Sequence, residues 1–282
     1  MVYYQKNKEA LMRSVKKLLE GKVLLAFSGG VDSALLLKLF CANRKNKDDI
    51  KAVFFKSLST SEGDLANAIK LAKEMDVDLL VKDVDVFSDQ RIRQNKKDRC
   101  YVCKTLLFEQ TLKIKEKLSY SHVVDGTNID DYKVYRPGLT ALKDLKIVSP
   151  LKDAGFSKQM IRDFAQSLGI SVAKRPASPC LLTRFPYDTE ITSELLRKVE
   201  DGENFLKNLG FSNLRLRVHD KILRLELSKS DFPKAILLAD EICKYLKSLG
   251  FSYVSLDLEA FRSGSMDEVL ADEEKKKWEI NE

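Results

Sequence analysis

Apolar residues along this chain fall into two alternating patterns. Short unbroken runs of strand length occur at Val23-Leu24-Leu25-Ala26-Phe27, Ala52-Val53-Phe54-Phe55, Leu79-Leu80-Val81 and His122-Val123-Val124. Between them the apolar positions recur at helical spacing. Leu11, Val15, Leu18 and Leu19 mark one face of a helix over 5–20, which Gly21 ends, and Ala34 to Phe40 is a run of helix formers. Ser61-Glu62-Gly63-Asp64 has the form of a capping box opening a helix through Met75, and Ser157 is placed to cap another through Leu168. Strands alternating with helices predict an α/β fold with a parallel sheet, whose ligands bind beyond the carboxyl ends of the strands.

The pattern changes further along. Three prolines in the eleven residues 176–186 forbid a continuous helix, so 173–187 reads as a shaped loop that carries Cys180 among basic groups. Thr192 then caps a helix to Leu209, and Leu214 to Val218, Ile222 to Leu227 and Val254 to Leu258 alternate as strands do. Phe205-Leu206-Lys207-Asn208-Leu209-Gly210-Phe211-Ser212 is echoed by Tyr245-Leu246-Lys247-Ser248-Leu249-Gly250-Phe251-Ser252, each copy followed by a strand. These features predict two domains, an α/β domain over 1–187 and a smaller α+β domain over 188–282 that contains a helix-strand unit twice. The charged tail from Asp272 to Glu282 is expected to fray.

Composition narrows the class. The 282 residues are 44% hydrophobic and 32% charged, and no apolar run approaches the roughly 20 residues that span a membrane. The opening Met-Val-Tyr-Tyr-Gln-Lys lacks the apolar core of a signal peptide, which leads to an expectation of a cytoplasmic protein. A net charge of +7 favours anionic partners, nucleotides first and RNA second.

The candidate chemistry begins at Ser28-Gly29-Gly30-Val31-Asp32-Ser33, between the first strand and its helix. Two glycines let backbone amides approach a phosphate, and the helix N-terminus adds partial positive charge. Ser28 and Ser33 offer hydroxyl donors. Asp32 would repel a bare polyphosphate and makes sense with Mg²⁺ between them. The Lys of a phosphate-transferring P-loop is missing. The string resembles the PP-loop of ATP pyrophosphatases, which grip the β,γ-pyrophosphate of ATP and transfer AMP. Ser57, Gly126, Thr127 and Asn128 end strands on the same rim, where nucleotide contact and a plain strand-to-loop turn are both open readings.

Of the five cysteines, Cys41 and Cys243 sit among apolar residues at helical spacing and read as small core residues. Cys100-Tyr101-Val102-Cys103 has the spacing with which two sulfurs chelate one centre, and flanking Arg99 and Lys104 favour thiolate. By itself it is a redox pair, half a zinc site or a cluster ligand set. With Cys180 as third thiolate and no fourth strong ligand at hand, a [4Fe–4S] cluster with one open position suits the set better than structural zinc.

In order along the chain stand the PP-loop, Asp98-Arg99-Cys100-Tyr101-Val102-Cys103-Lys104, Asp125-Gly126-Thr127-Asn128, Arg136-Pro137-Gly138, Ser149-Pro150-Leu151 and Lys174-Arg175-Pro176-Ala177-Ser178-Pro179-Cys180-Leu181. Together they resemble the LarE family of ATP-dependent sulfur-inserting enzymes of nickel-pincer nucleotide biosynthesis, over about residues 10–260. The resemblance implies ATP and Mg²⁺ as cofactors and adenylation of a carboxylate on a small pyridinium nucleotide. AMP is then exchanged for sulfur, from sulfide or another sulfur donor. Some members spend a single cysteine, matching Cys180; others hold a cluster on three, matching Cys100, Cys103 and Cys180. Arg184, Glu200, Arg215 and Arg217 become candidate substrate or metal contacts, with Asp32, Cys180 and Arg184 the catalytic candidates. A solvated helix face for Glu200 and a solvated strand face for the arginines are the plain alternatives. The small domain is implied to assemble a homo-oligomer. A tRNA-thiolating PP-loop enzyme is the runner-up, favoured by the basic charge and opposed by the lack of an added RNA-binding module. A ligase of the NAD or GMP synthetase kind leaves the cysteines unexplained.

Overall fold

The computed structural model describes residues 2–176, 179–262 and 264–278. In chain order the first elements are α1 (Val2–Leu18), β1 (Val23–Ala26), α2 (Val31–Asn43), β2 (Ile50–Lys56), α3 (Glu62–Glu74) and β3 (Leu79–Asp83). Then follow a short α4 (Gln90–Arg93), α5 (Arg99–Lys117), β4 (His122–Val124), α6 (Gly138–Asp144), α7 (Pro150–Asp153) and α8 (Lys158–Ser167). The remainder comprises α9 (Ser193–Asn208), β5 (Leu214–His219), β6 (Ile222–Leu227), α10 (Phe232–Leu237), α11 (Ala239–Ser248), β7 (Tyr253–Leu256) and α12 (Asp272–Lys276).

Two compact units result. The first takes residues up to 86, 98–178 and 272 onward; the second takes 87–97 and 179–271. Where the sequence reading places one cut after 187, the chain therefore enters the second unit earlier, at 87–97, and leaves it again. Hydrogen bonds to residues some ninety positions later explain the early entry. Asn95 Nδ2 donates to the carbonyls of Phe185 and Pro186 at 3.0 and 2.7 Å, and the Asp188 and Ile191 amides donate to Asn95 and Arg93.

The first unit is the expected α/β domain. Its sheet runs β3-β2-β1-β4, all parallel, with Val23 of β1 paired to Ile50 and to His122. Alternate residues serve opposite faces: Val23 and Leu25 join Leu11, Leu36, Phe40, Phe156 and Phe164 on one side, while Leu24 and Val53 meet Tyr120 on the other. The helix α2 is buried nearly all round, which accounts for its lack of a polar face. Of the tail expected to fray, residues 272–276 form α12 and Trp278 packs on Tyr101 with ring centroids 5.3 Å apart, while 279–282 lie outside the described residues. No helix among the described residues is long and apolar enough to cross a membrane.

The second unit has a three-stranded sheet in the order β5-β6-β7, β5 antiparallel and β7 parallel to β6. The sequence echo is real in space: α9–β5 and α11–β7 flank β6, and the echoed Phe205 and Tyr245 stack at 3.9 Å. Gly202 lets α9 and β5 pack closely, because a Cβ would stand 2.5 Å from Leu216 Cδ1 and force that side chain to shift. At the matching turns Gly210 and Gly250 take φ of +84° and +99°, the left-handed helix ends for which glycine is suited.

Candidate active site

The loop after β1 is shaped by its neighbours. Pairing extends past the strand as Phe27 N donates to Val53 O, after which Gly29 turns left-handed at φ +72°. A Cβ on Gly29 would lie 3.2 Å from the backbone of Ala68, so α3 can approach only glycine. From the same helix Asn67 Nδ2 donates to Gly29 O at 2.7 Å and pins the turn. Ser33 Oγ donates to Gly30 O at 3.1 Å and lies 3.2 Å from Ser28 Oγ, which ties the loop's two hydroxyls together. Gly30 is the N-cap of α2 and offers its first-turn amides no side-chain acceptor, the arrangement that receives an anion.

Asp32 stands in that first turn. Its Oδ2 accepts from Lys158 Nζ at 2.5 Å, and its Oδ1 is buried without a hydrogen-bond partner. Burial pushes the carboxyl's pKa up, while Lys158 pulls it back. A buried carboxylate oxygen with no donor is a hard oxygen ligand of the kind Mg²⁺ takes, so the residues present fit that ion.

The rim residues divide by role. Gly126 has no room for a side chain, since a Cβ would meet Ser33 N at 3.0 Å and Asp32 Cβ at 3.2 Å. Thr127 is buried and donates through Oγ1 to Asp125 at 2.5 Å, and Asn128 caps the following 3₁₀ turn, so both shape the turn. Buried Asp125 also accepts from Ser149 Oγ at 2.5 Å and faces Lys104 Nζ at 3.7 Å. Ser57 Oγ sits at 2.9 Å from Ser59 Oγ and 3.1 Å from Thr60 Oγ1 in a hydroxyl cluster after β2.

Cys100 and Cys103 occupy the first two turns of α5, three residues apart and hence on one face of the helix, as chelation by two sulfurs needs. Cys100 is exposed and Cys103 half-buried. Exposed Cys180 belongs to the second unit, and Ala177 and Ser178 of the specific Pro-Ala-Ser-x-Cys-Leu stretch lie outside the described residues. Cys100 and Cys103, two of the three candidate ligands, thus lie on one helix face. Among the described residues no three His, Cys, Asp or Glu side chains converge as a metal site.

In the second unit the arginine face is buried, not solvated. Arg184, Arg215 and Arg217 are 5%, 6% and 4% exposed. Arg184 makes a two-point pair with Glu203, at 2.7 and 3.0 Å, and Arg217 does the same with Glu226 at 2.9 and 3.2 Å. Arg217 also donates to Thr183 O and, at 2.7 Å, to Ser265 Oγ. Arg215 pairs with no carboxylate among the described residues: its guanidinium lies 4.6 Å over the Phe261 ring and reaches Arg262 O at 3.5 Å. Burial first, then Arg217 and Arg184, push its pKa down to about 10. A buried cation surplus of this kind suits phosphate or carboxylate.

Glu203, Glu226 and Lys158 are not among the sequence-predicted site residues, which include Glu200 instead. Glu200 is half-buried, whereas Glu203 shares the inner face of α9 with Leu196, Val199, Gly202 and Leu206. That helical phase is the signal that would have chosen Glu203. Glu226 alternates with Leu225 and Leu227 in β6, and the register that sets it opposite Arg215 puts it on the arginines' face. Nothing local marks Lys158; only the fold carries it to Asp32.

Residues 3–122 match the family model described as NAD synthase. The pyridinium-3,5-bisthiocarboxylic acid mononucleotide synthase of Lactiplantibacillus plantarum is 34% identical over 264 residues, covering 94% of this chain and 95% of that protein. An uncharacterized protein of Methanocaldococcus jannaschii is 37% identical over 263 residues, covering 93% of this chain and 100% of its own. Another, from Synechocystis, is 34% identical over 252 residues, covering 88% and 93%.

Proposed function

The chain belongs to the LarE family, and from that premise we propose that it is an ATP-dependent sulfur insertase. Its substrate would be pyridinium-3,5-biscarboxylic acid mononucleotide, one of whose carboxylates it adenylates and converts to a thiocarboxylate. The observation that carries the reading is Asp32, a half-orphaned carboxylate in the amide-rich turn of a Ser-Gly-Gly loop. A carboxylate resists substitution because oxide is its leaving group; an acyl phosphate offers AMP instead. The substrate carboxylate oxygen attacks the α-phosphorus of ATP, and the bond to pyrophosphate breaks. The amides of α2 and the hydroxyls of Ser28 and Ser33 hold the departing pyrophosphate. Mg²⁺, when bound at Asp32, would neutralise charge on that leaving group.

Sulfur then adds to the acyl carbon and AMP departs. A [4Fe–4S] cluster on Cys100, Cys103 and Cys180 would supply that sulfur as sulfide. Buried Arg184, Arg215 and Arg217 bind the substrate's anionic groups, Arg215 being the one that pairs with no carboxylate among the described residues. The test is anaerobic turnover with ATP and the biscarboxylic mononucleotide, reading pyrophosphate, thiocarboxylate and protein mass. The expected result is both products, with Cys180 intact and with iron and sulfur transfer lost together in Cys100→Ala, Cys103→Ala or Cys180→Ala. Dehydroalanine at 180, formed when Cys180 Sγ attacks the acyl carbon and displaces AMP and a base then removes the Cα proton as the Cβ–S bond breaks to release the thiocarboxylate, would instead assign the sulfur to the protein. Full activity in Cys100→Ala would also defeat the cluster reading.

Arg215 provides a second check. Arg215 makes no ion pair among the described residues and its burial opposes its charge, so Arg215→Leu should melt close to the parent. The substrate at about a hundred times its Kd should stabilise the parent by about 2.7 kcal/mol, and Arg215→Leu should lose most of that gain. A variant that melts early, or one still fully protected by substrate, counts against an anion site at Arg215.

A further inference from the structure

Lys158 is the first residue of α8, and its backbone is anchored there: its amide donates to Asp130 Oδ2 at 2.7 Å. Asp130 is held in turn by Lys133 at 2.7 Å. The Lys158 side chain is about one-third exposed, so its ammonium can leave Asp32 while the helix start stays in place. The other charge that Asp32 feels is Asp131, an acid that raises its pKa. Asp131 is itself occupied, by Arg136 at 2.8 Å and by the Asn128 amide at 3.0 Å. Lys158 is therefore the cation that balances Asp32 in the structure, and it stands on one of the two oxygens that a metal ion would use.

Resting on the reading of Asp32 as the Mg²⁺ ligand, we propose that Lys158 is an exchangeable counter-ion. It neutralises the PP-loop carboxylate in the nucleotide-free enzyme, releases it to the metal, and turns to the terminal phosphates that arrive with that metal. The energetics have a definite sign. A metal ion arriving alone must displace the ammonium and offers it nothing in return. A metal ion arriving with a triphosphate gives the ammonium an anion of higher charge within reach of a flexible side chain. Metal and nucleotide binding are consequently coupled through one lysine, and the coupling is reciprocal. The device keeps a buried carboxylate neutralised between turnovers and selects the metal–nucleotide complex over the free ion. Lys158 is in this sense a positioning residue.

The coupling separates this role from a merely structural one, because removal of the ammonium should move two affinities in opposite directions. The probe is Mn²⁺, followed by the electron paramagnetic resonance signal of the free ion, with the full chain and with or without α,β-methylene-ATP. For the parent protein Mn²⁺ alone should bind weakly, and at least about tenfold more tightly with the analogue present. In Lys158→Met, Mn²⁺ alone should bind about tenfold more tightly than in the parent, while the analogue with Mn²⁺ binds more weakly. Lys158→Arg should restore the parental pattern, since it returns a cation. Weaker or unchanged binding of Mn²⁺ alone by a folded Lys158→Met protein overturns the proposal. Mn²⁺ binding by the parent that Asp32→Ala leaves untouched removes the underlying reading of Asp32, and the proposal falls with it.

Discussion

Asp32→Ala is expected to lower pyrophosphate release at least about a thousandfold while the protein stays folded, because it removes the oxygen ligand beside the leaving group. The expectation of an intact fold has its own grounds. Asp32 contributes a favourable acid to the first turn of α2 and pairs with Lys158, but its burial opposes the charge and leaves Oδ1 unsatisfied. These contributions offset one another, and the melting transition should shift by no more than about 1 kcal/mol. The pair of measurements is pyrophosphate release with saturating ATP and substrate, and thermal unfolding of the same preparation. Near-parental release from a folded Asp32→Ala protein would show that the PP-loop carboxylate is not the metal-facing group.

Glu203→Ala should cost about 3–5 kcal/mol of stability, because it strands a buried guanidinium. Arg184 and Glu203 are each only 5% exposed at the side chain, and the pair closes through two hydrogen bonds. Glu203 also accepts from the Leu216 amide at 3.1 Å, so its loss leaves a backbone donor of β5 unmet as well. Glu200→Ala, one turn of helix earlier and half-buried, should cost about 1 kcal/mol or less. Denaturant unfolding of the two variants in parallel decides the matter: equal costs would mean that Glu203 is not the acid that balances Arg184. The comparison bears on function too, since a misoriented Arg184 should weaken substrate binding even in the folded fraction.

Much of this protein is decided by local sequence. Apolar runs of strand length alternating with helical spacing specify the parallel α/β sheet, since a strand buried on both faces has no room for polar alternation. Ser28-Gly29-Gly30 is legible for the same reason: only glycine tolerates both the left-handed turn and the approach of Ala68, and a strand leading to a helix aims amides outward. The repeated helix-strand unit was likewise visible, and the Phe205–Tyr245 stack follows from it. What local sequence leaves open is which distant charge meets which. The arginines of β5 have the same alternation whether they face water or a buried partner; only the register of β6 against β5 supplies Glu226 to Arg217, and only the packing of α9 supplies Glu203 to Arg184. Trp278 lies 177 residues from the Tyr101 ring it covers, and the intervening sequence contains no trace of that contact. Lys158 is 126 residues from Asp32 and follows an ordinary helix cap; its ammonium reaches the PP-loop because α2 and α8 pack in one core. Periodicity is a local property and survives in one dimension, whereas charge pairing at a site depends on which helix ends the core brings together.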